Sequence, residues 1–180
     1  MQLKYLRIDK ENVEKYLEQI SNLIVKTFTS GYYYQLSLKK ITINNYVYGM
    51  FRYGGFGQIA LDRGKVVGIV ILSPIRTKLA HPKSIRKSID LDKSLSLREL
   101  AVLGEYQHKG IGSNLLKTAI DSIDVSIYKH IMLKVLVGNI PAISLYSKFG
   151  FQESTEVSEK RTHKDGKAVV MKKKFYIKTL

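Results

Sequence analysis

The sequence contains no cysteine in its 180 residues. That absence excludes disulfide bonds, thiolate zinc sites and cysteine nucleophiles. The sequence also lacks any run of eighteen apolar residues, so we expect no membrane-spanning helix. Its first residues show neither the apolar core nor the small-residue cleavage site of a signal peptide, and we therefore expect a cytoplasmic protein.

Acidic residues are also scarce. Asp and Glu number 15 against 30 Lys and Arg, which gives a formal net charge of +15. Such an excess favours an anionic partner, and nucleic acid, a membrane surface or a phosphate-bearing cofactor would each suit it. Solvated surface lysines are the alternative explanation. The basic stretch 76–93 keeps nucleic-acid binding open, but the chain has no aromatic and basic RNA signature, so we favour that class less.

The N-terminal half of the chain begins with alternating residues over 2–8, which predict a strand. Asp9 is a suitable N-cap for the helix that follows. The apolar face of that helix comprises Val13, Leu17, Ile20, Ile24 and Phe28. Further elements are predicted as a weaker helix near 36–48, a hairpin over 57–73 with an Asp/Gly turn, and a basic loop over 76–93 with one helical turn.

The C-terminal half alternates between strands and helices. The predicted elements are a strand over 95–103, a helix near 110–125, a strand over 130–137, a short helix, and two strands within 151–178 joined at 163–167. The short helix has clear signals, because Asn139 caps it, Pro141 lies in its first turn and Gly150 follows its last turn. The apolar face of the longer helix comprises Ile111, Leu115, Ala119 and Ile123.

A glycine-containing segment separates the strand over 95–103 from its helix: Gln107-His108-Lys109-Gly110-Ile111-Gly112-Ser113. Glycines let backbone amides approach a ligand, and a helix start adds unpaired N–H groups and the positive end of the dipole. This helix has no acidic residue before Asp121, so a bound pyrophosphate would supply the missing negative charge. An ordinary tight turn is the alternative. Neither G-x-x-x-x-G-K-[ST] nor G-x-G-x-x-G is present, which argues against a P-loop NTPase and a Rossmann site.

Two segments resemble the signatures of a known family. Leu97-Arg98-Glu99-Leu100-Ala101-Val102, followed by 107–112, resembles the acetyl-CoA motif Q/R-x-x-G-x-G/A of the GNAT acyltransferases. The segment 139–151 then resembles their N-x-x-A-x-x-x-Y-x-x-x-G-F helix. The resemblance implies a single acyltransferase domain over 1–180. It also implies an α/β fold with a central mixed, mostly antiparallel sheet flanked by helices on both faces, and transfer of an acetyl group from acetyl-CoA to an amine.

The resemblance further implies which residues bind the co-substrate, acetyl-CoA. Backbone groups of Leu100, Ala101 and Val102 would pair with the pantetheine arm as if it were an added strand. Asn139 would hydrogen-bond the pantetheine, and Lys148 would approach the 3′-phosphate. The pyrophosphate would be held by the backbone amides of His108, Lys109, Gly110, Ile111, Gly112 and Ser113. The alternatives are a plain core strand at 100–102 and a simple helix cap at Asn139.

Tyr146 is the catalytic residue that the resemblance implies. It would lie near the sulfur and protonate the departing thiolate; the alternative is a packed core tyrosine. Many members of the family also use a Glu on one of two strands to deprotonate the amine. The corresponding positions here are Ser96 and Lys134, and neither is acidic. No histidine spacing suggests a metal site.

The missing acid bears on the acceptor. Deprotonating a lysine-like amine with a pKa near 10.4 costs about 4.6 kcal/mol at pH 7, whereas an α-amine near 7.8 costs about 1 kcal/mol. We therefore favour peptide N-termini or small-molecule amines as acceptors. Glu99 is a weak alternative base, because on a regular strand it faces away from Ser96, and we expect Glu105 to support the turn. The alternative function is a non-catalytic CoA-binding module, and the sequence is compatible with a homodimer.

Overall fold

The computed structural model describes residues 2–30, 40–162 and 165–180. In this part of the chain there are seven β-strands and five α-helices. The strands are β1 (Leu3–Ile8), β2 (Phe56–Asp62), β3 (Lys65–Pro74), β4 (Ser94–Val102), β5 (His130–Leu136), β6 (Gln152–Thr162) and β7 (Ala168–Thr179). The helices are α1 (Leu17–Ser30), α2 (Lys40–Arg52), α3 (Lys83–Ser88), α4 (Ile111–Asp121) and α5 (Ile140–Lys148).

The strands form a mixed sheet in the order β1-β2-β3-β4-β5-β7-β6. β4 and β5 pair in parallel, whereas β1–β2, β2–β3, β5–β7 and β6–β7 pair antiparallel. This confirms the expected α/β class with a mostly antiparallel sheet. The chain divides into two compact units, each made of two segments of the chain. The first unit comprises Met1–Ser73 and Arg98–Ser122; the second comprises Pro74–Leu97 and Ile123–Leu180.

The β2–β3 hairpin of the first unit has the predicted turn. Arg63 and Gly64 both have positive φ angles, 49° and 81°, as a two-residue turn between twisted strands requires. On β3, Gly68 lies against α4: a Cβ placed there would be 2.9 Å from a methyl carbon of Leu115 and 3.2 Å from Ile111 Cγ2. The absence of a side chain at this position therefore lets α4, which begins in the predicted phosphate-binding segment, pack closely on the strand.

The start of the first helix differs from the prediction. A 3₁₀ turn over Val13–Tyr16 precedes α1, which begins only at Leu17. Asp9 does not cap α1; its carboxylate accepts a 2.9 Å hydrogen bond from the Glu11 amide and closes a local turn. The expected apolar face is nevertheless present, since Val13, Ile20 and Ile24 are buried.

Two other helix boundaries also differ from those predicted. α2 occupies Lys40–Arg52, later than the predicted 36–48, of which residues 36–39 lie outside the described part of the chain. α4 ends at Asp121 and not near residue 125. The Ser122 hydroxyl donates a 2.8 Å bond to the Ala119 carbonyl, and such local bonds from serine compete with helix propagation.

In the second unit, the basic stretch 76–93 is more helical than expected. It contains 3₁₀ turns at Lys78–Ala80 and Leu91–Lys93 as well as α3, where the sequence predicted a loop with one helical turn. The physical reason is burial: Ile85 of α3 and Leu91 pack with Met132 of β5 and Phe175 of β7 in an apolar cluster. Burying these side chains stabilises helical turns that propensity alone does not predict.

Candidate functional site

The predicted pyrophosphate-binding segment forms the start of α4 in the first unit. Gly110 is the N-cap residue and has a left-handed conformation with φ 76°. His108 also has a positive φ, 59°. The first turn of α4 contains no acidic residue, so the positive end of the helix dipole is not neutralised from within its own first turn. This is the geometry in which backbone N–H groups of 110–113 bind an anion.

Hydrogen bonds hold the segment before α4 in place. The Gln107 side chain donates a 3.0 Å bond to the Val102 carbonyl, and the Lys109 ammonium donates a 2.8 Å bond to the Glu105 carbonyl. The Glu105 carboxylate lies 3.3 Å from the Lys26 ammonium and 3.9 Å from that of Lys65. The ion pairs agree with the expectation that Glu105 supports the turn.

The strand that carries Leu100, Ala101 and Val102 alternates regularly. Ala101 is 6% exposed, whereas Leu100 and Val102 are half-buried. The backbone of 100–102 therefore belongs to β4 as predicted, and the side chain of Ala101 is part of the core. One backbone group expected to bind pantetheine, the Val102 carbonyl, already accepts the bond from Gln107; a carbonyl oxygen has a second lone pair for a ligand.

Sequence reasoning missed a polar contact between α2 and β4. The Tyr46 hydroxyl donates a 2.9 Å hydrogen bond to the buried carboxylate of Glu99, and Arg98 donates a 3.3 Å bond to the Tyr46 oxygen. Burial, together with the Glu99 charge, raises the pKa of Tyr46, so its hydroxyl remains a donor throughout the neutral range. No sequence signal connects these residues, because Tyr46 and Glu99 are 53 positions apart.

The other predicted site residues lie in the second unit, on α5. Asn139 caps the helix: its side-chain oxygen accepts a 3.3 Å bond from the Ala142 amide. Tyr146 is 7% exposed and meets the ring of Phe151 edge to face, with 5.8 Å between centroids. Lys148 lies exposed in the last turn. Asn139 thus fulfils its structural role, and its Nδ2 donors are not used by the cap.

Lys134 on β5, which stands where an acid was expected, is an ion-pair residue. Its ammonium contacts the carboxylate of Glu159 on β6, which also lies 2.9 Å from Lys173 and from Arg161. Burial of the Glu159 carboxyl alone would raise its pKa, but the bonds from Lys134 and Lys173 outweigh burial and lower the pKa to about 2. Glu159 therefore stays ionised at neutral pH and is a poor proton acceptor. Sequence reasoning missed it.

The other expected base positions have ordinary surroundings. Ser96 is half-buried on β4, and its registered partner on β5 is Met132. Glu99 is 8% exposed and shares the buried side of the strand with Leu97 and Ala101, as the regular alternation predicted. Among the described residues, no group of three His, Asp or Glu side chains is arranged to hold a metal ion. No helix in the described ranges has the length and apolar character needed to cross a membrane.

Comparison with known proteins identifies the family. The sequence model of the acetyltransferase (GNAT) family matches residues 17–151, and the chain belongs to this family. An N-alpha-acetyltransferase of Sulfolobus acidocaldarius is 33% identical over 118 residues, which are 61% of this chain and 66% of that protein. N-acetyltransferase family 8 member 3 of Rattus norvegicus is 29% identical over 98 residues, 54% of this chain and 39% of the relative. The chain therefore spans less than two thirds of the length of either relative.

Solved structures share the fold. The crystal structure of ribosomal-protein-alanine N-acetyltransferase from Brucella melitensis superimposes with a TM-score of 0.73 at 18% identity, and the match covers 100% of both chains. At this identity the likeness concerns the fold alone. Together with the strand order and the family match, it confirms the fold that the two sequence motifs implied.

Proposed function

We propose that this chain is an N-acetyltransferase that moves the acetyl group of acetyl-CoA to an amine by direct attack. The observation that carries the proposal is the start of α4, where a glycine in the left-handed conformation precedes a helix whose first turn has no acidic residue. In a member of the GNAT family, this is the feature suited to the pyrophosphate of the co-substrate. Residues 1–180 act as one acyltransferase domain in this proposal.

The roles of the residues follow from their chemistry. Backbone groups of 100–102 and 108–113 bind the pantetheine arm and the pyrophosphate, and Asn139 and Lys148 assist from α5. The amine nitrogen attacks the thioester carbonyl, the C–S bond breaks, and the sulfur leaves as a thiolate. The Tyr146 hydroxyl gives that thiolate its proton. The nitrogen loses one proton to solvent as the amide forms, and the tyrosinate regains a proton from solvent. A covalent acyl-enzyme is not expected, because the chain has no cysteine.

An α-amine is the acceptor that the proposal favours. Lys134 is held in an ion pair with Glu159, and Glu159 is a poor proton acceptor. An amine that is partly neutral at pH 7 avoids the need for a strong base, and α-amines meet this condition with a pKa near 7.8. The Sulfolobus relative is named as an N-alpha-acetyltransferase, which supports peptide N-termini as the acceptor class.

The test is release of free CoA thiol across a panel of amines. Peptides with free N-termini, N-terminally blocked lysine peptides, polyamines and aminoglycosides would each be incubated with acetyl-CoA. Because the protein has no thiol of its own, a thiol reagent reports only product. We expect release with free N-termini and none with the blocked peptides.

A second candidate, a CoA-binding module without catalysis, draws on one observation. Neither Ser96 nor Lys134 is an acidic residue, and Glu159 is ion-paired with three cations. This candidate predicts that calorimetry detects acetyl-CoA binding while no amine in the panel releases thiol. Turnover with any acceptor would exclude it.

A further inference from the structure

A cluster of charged side chains lies on one face of the β5–β7–β6 ribbon in the second unit. Lys134 of β5 pairs with Phe175 of β7. Lys173 lies two residues before Phe175 on β7 and therefore on the same face. Side chains alternate along a strand, so Glu159 of β6, registered with Met171, also belongs to this face. Arg161 follows two positions later. We call Lys134, Glu159, Arg161 and Lys173 the ribbon cluster.

The ribbon cluster carries a positive surplus. Three cationic groups surround one carboxylate: the Glu159 oxygens contact Lys134 and lie 2.9 Å from Lys173 and from Arg161. Three positive charges and one negative charge leave a sum of +2 on these four residues. Cations held together in partly buried surroundings repel one another, and an additional anion would reduce that repulsion.

Solvent exposure divides the ribbon cluster into an inner pair and two outer cations. The Lys173 side chain is 9% exposed and that of Glu159 is 19% exposed, so these two form the inner pair. The side chains of Lys134 and Arg161 are 33% and 51% exposed. Both outer cations can reach a ligand in solution while still touching Glu159. A guanidinium group is well suited to a carboxylate, since it binds two oxygens at once.

We propose that Lys134 and Arg161 form an anion-recognition site that selects peptide acceptors with a carboxylate close to the reacting amine. The inference rests on the proposed function and specifies its substrate class. β5, which carries Lys134, belongs to the same compact unit as α5, which carries the proposed acid Tyr146. Lys134, which stands where an acid was expected, then binds the side chain of an acidic residue near the N-terminus of the acceptor.

The experiment compares three peptides that differ only in their second residue, which is glutamate, glutamine or lysine. kcat/KM is measured for each with the wild-type protein and with Lys134→Gln, Arg161→Gln and the control Lys172→Gln. Lys172 is on β7 beside Lys173, but its side chain alternates to the other face, so the control removes one charge outside the cluster. Each variant keeps Glu159 in contact with at least two cations.

We expect the wild-type protein to prefer the glutamate peptide over the glutamine peptide, and the preference to weaken as salt is added. Lys134→Gln and Arg161→Gln should each reduce that preference by about two- to fivefold, as partly exposed charge pairs do, whereas Lys172→Gln should preserve it. A preference that is absent, or that survives both substitutions, would overturn the inference. So would a rise in the KM of acetyl-CoA with all three peptides, because the cations would then serve the co-substrate.

Binding is measured separately from turnover, so that the inference and the proposed function fail in different ways. Fluorescein-labelled glutamate and glutamine peptides, labelled at the C-terminus, are titrated with each protein in the presence of CoA. Selective binding of the glutamate peptide without turnover would contradict the proposed function and support the site. Turnover of all three peptides at equal rates, with equal binding, would support the function and remove the site.

Discussion

The hydroxyl of Tyr46 lies 2.9 Å from the carboxylate of Glu99 and fastens helix α2 to strand β4 within the first unit. Glu99 is 8% exposed, and a buried carboxylate is costly unless donors satisfy it. The residues that follow Glu99 on the strand are those proposed to bind pantetheine. The contact therefore stabilises the position of β4 against α2 within the first unit.

Replacing Tyr46 with Phe should lower the free energy of unfolding by about 1–3 kcal/mol, because the buried carboxylate loses a donor. Urea denaturation of the variant and the wild type at pH 7 measures the difference. Tyr48→Phe is the matched control, since Tyr48 belongs to the same helix and is 39% exposed. Equal stability of the two variants would show that the Tyr46–Glu99 bond does not stabilise the fold.

The wild type and Tyr46→Phe should also differ in how their stability changes at alkaline pH. Burial raises the pKa of Tyr46 in the folded state, while in the unfolded chain tyrosine ionises near pH 10. The folded state thus binds more protons above pH 10, and stability falls as pH rises. The stability advantage of the wild type over Tyr46→Phe should be fully present below pH 10 and shrink above it. An advantage that stays constant to pH 11 would contradict the assignment.

Glu159 should have the opposite effect: its contribution to stability should be lost as the pH is lowered. Its pKa is lowered from 4.5 to about 2 in the folded protein, so its contribution is present above pH 4.5 and lost as pH falls toward 2. A shift of this size corresponds to about 3 kcal/mol at 1.36 kcal/mol per unit. Because the outer cations are partly exposed, solvent screening should reduce it to about 1–2 kcal/mol.

The corresponding measurement compares Glu159→Gln with the wild type between pH 7 and pH 3. The variant should be less stable at pH 7, and the two stability curves should converge below pH 4.5. Glu156→Gln, an exposed neighbour on the same strand, should leave the curve unchanged. Parallel curves for Glu159→Gln would mean that the ion pairs contribute no net stability.

Gly110→Ala tests the start of α4. A Cβ at this position meets nothing within 4 Å, but φ is 76°, so the cost is conformational and about 1–2 kcal/mol. We expect lower stability and a higher KM for acetyl-CoA, because relaxing this angle turns the backbone amides away from the ligand. Gly104→Ala is the control, as it also has open space and no positive φ. A similar KM in both variants would argue against pyrophosphate binding here.

The order of the elements could be predicted because it depends on local patterns. Periodic apolar residues located α1 and α4, and Asn139, Pro141 and Gly150 marked the limits of α5. The errors occur where tertiary contacts decide the local structure. The stretch around Ile85 was predicted as a loop with one helical turn, and burial against Phe175 stabilised further helical turns.

The candidate site was predictable only where it is contiguous in sequence. The segment that starts α4 is a short motif, and the structure has it at the start of that helix as expected; its role in binding stays a prediction. Lys134 and Glu159 are 25 residues apart, and their contact depends on the register of β7 with both neighbouring strands. That register was not predicted from the sequence, and a shift of one residue would have moved Glu159 to the other face.

Tyr146→Phe is the most direct test of the proposed chemistry. The substitution removes one oxygen and keeps the ring, so the edge-to-face contact with Phe151 and the fold should persist. We expect kcat to fall by about 10²- to 10⁴-fold, as for loss of a general acid, while the KM of acetyl-CoA changes little. Tyr48→Phe makes the same chemical change on an exposed part of α2 and should leave kcat unaltered. Unchanged turnover in Tyr146→Phe would mean that the thiolate leaves without a proton from Tyr146, and that this tyrosine serves only to pack α5.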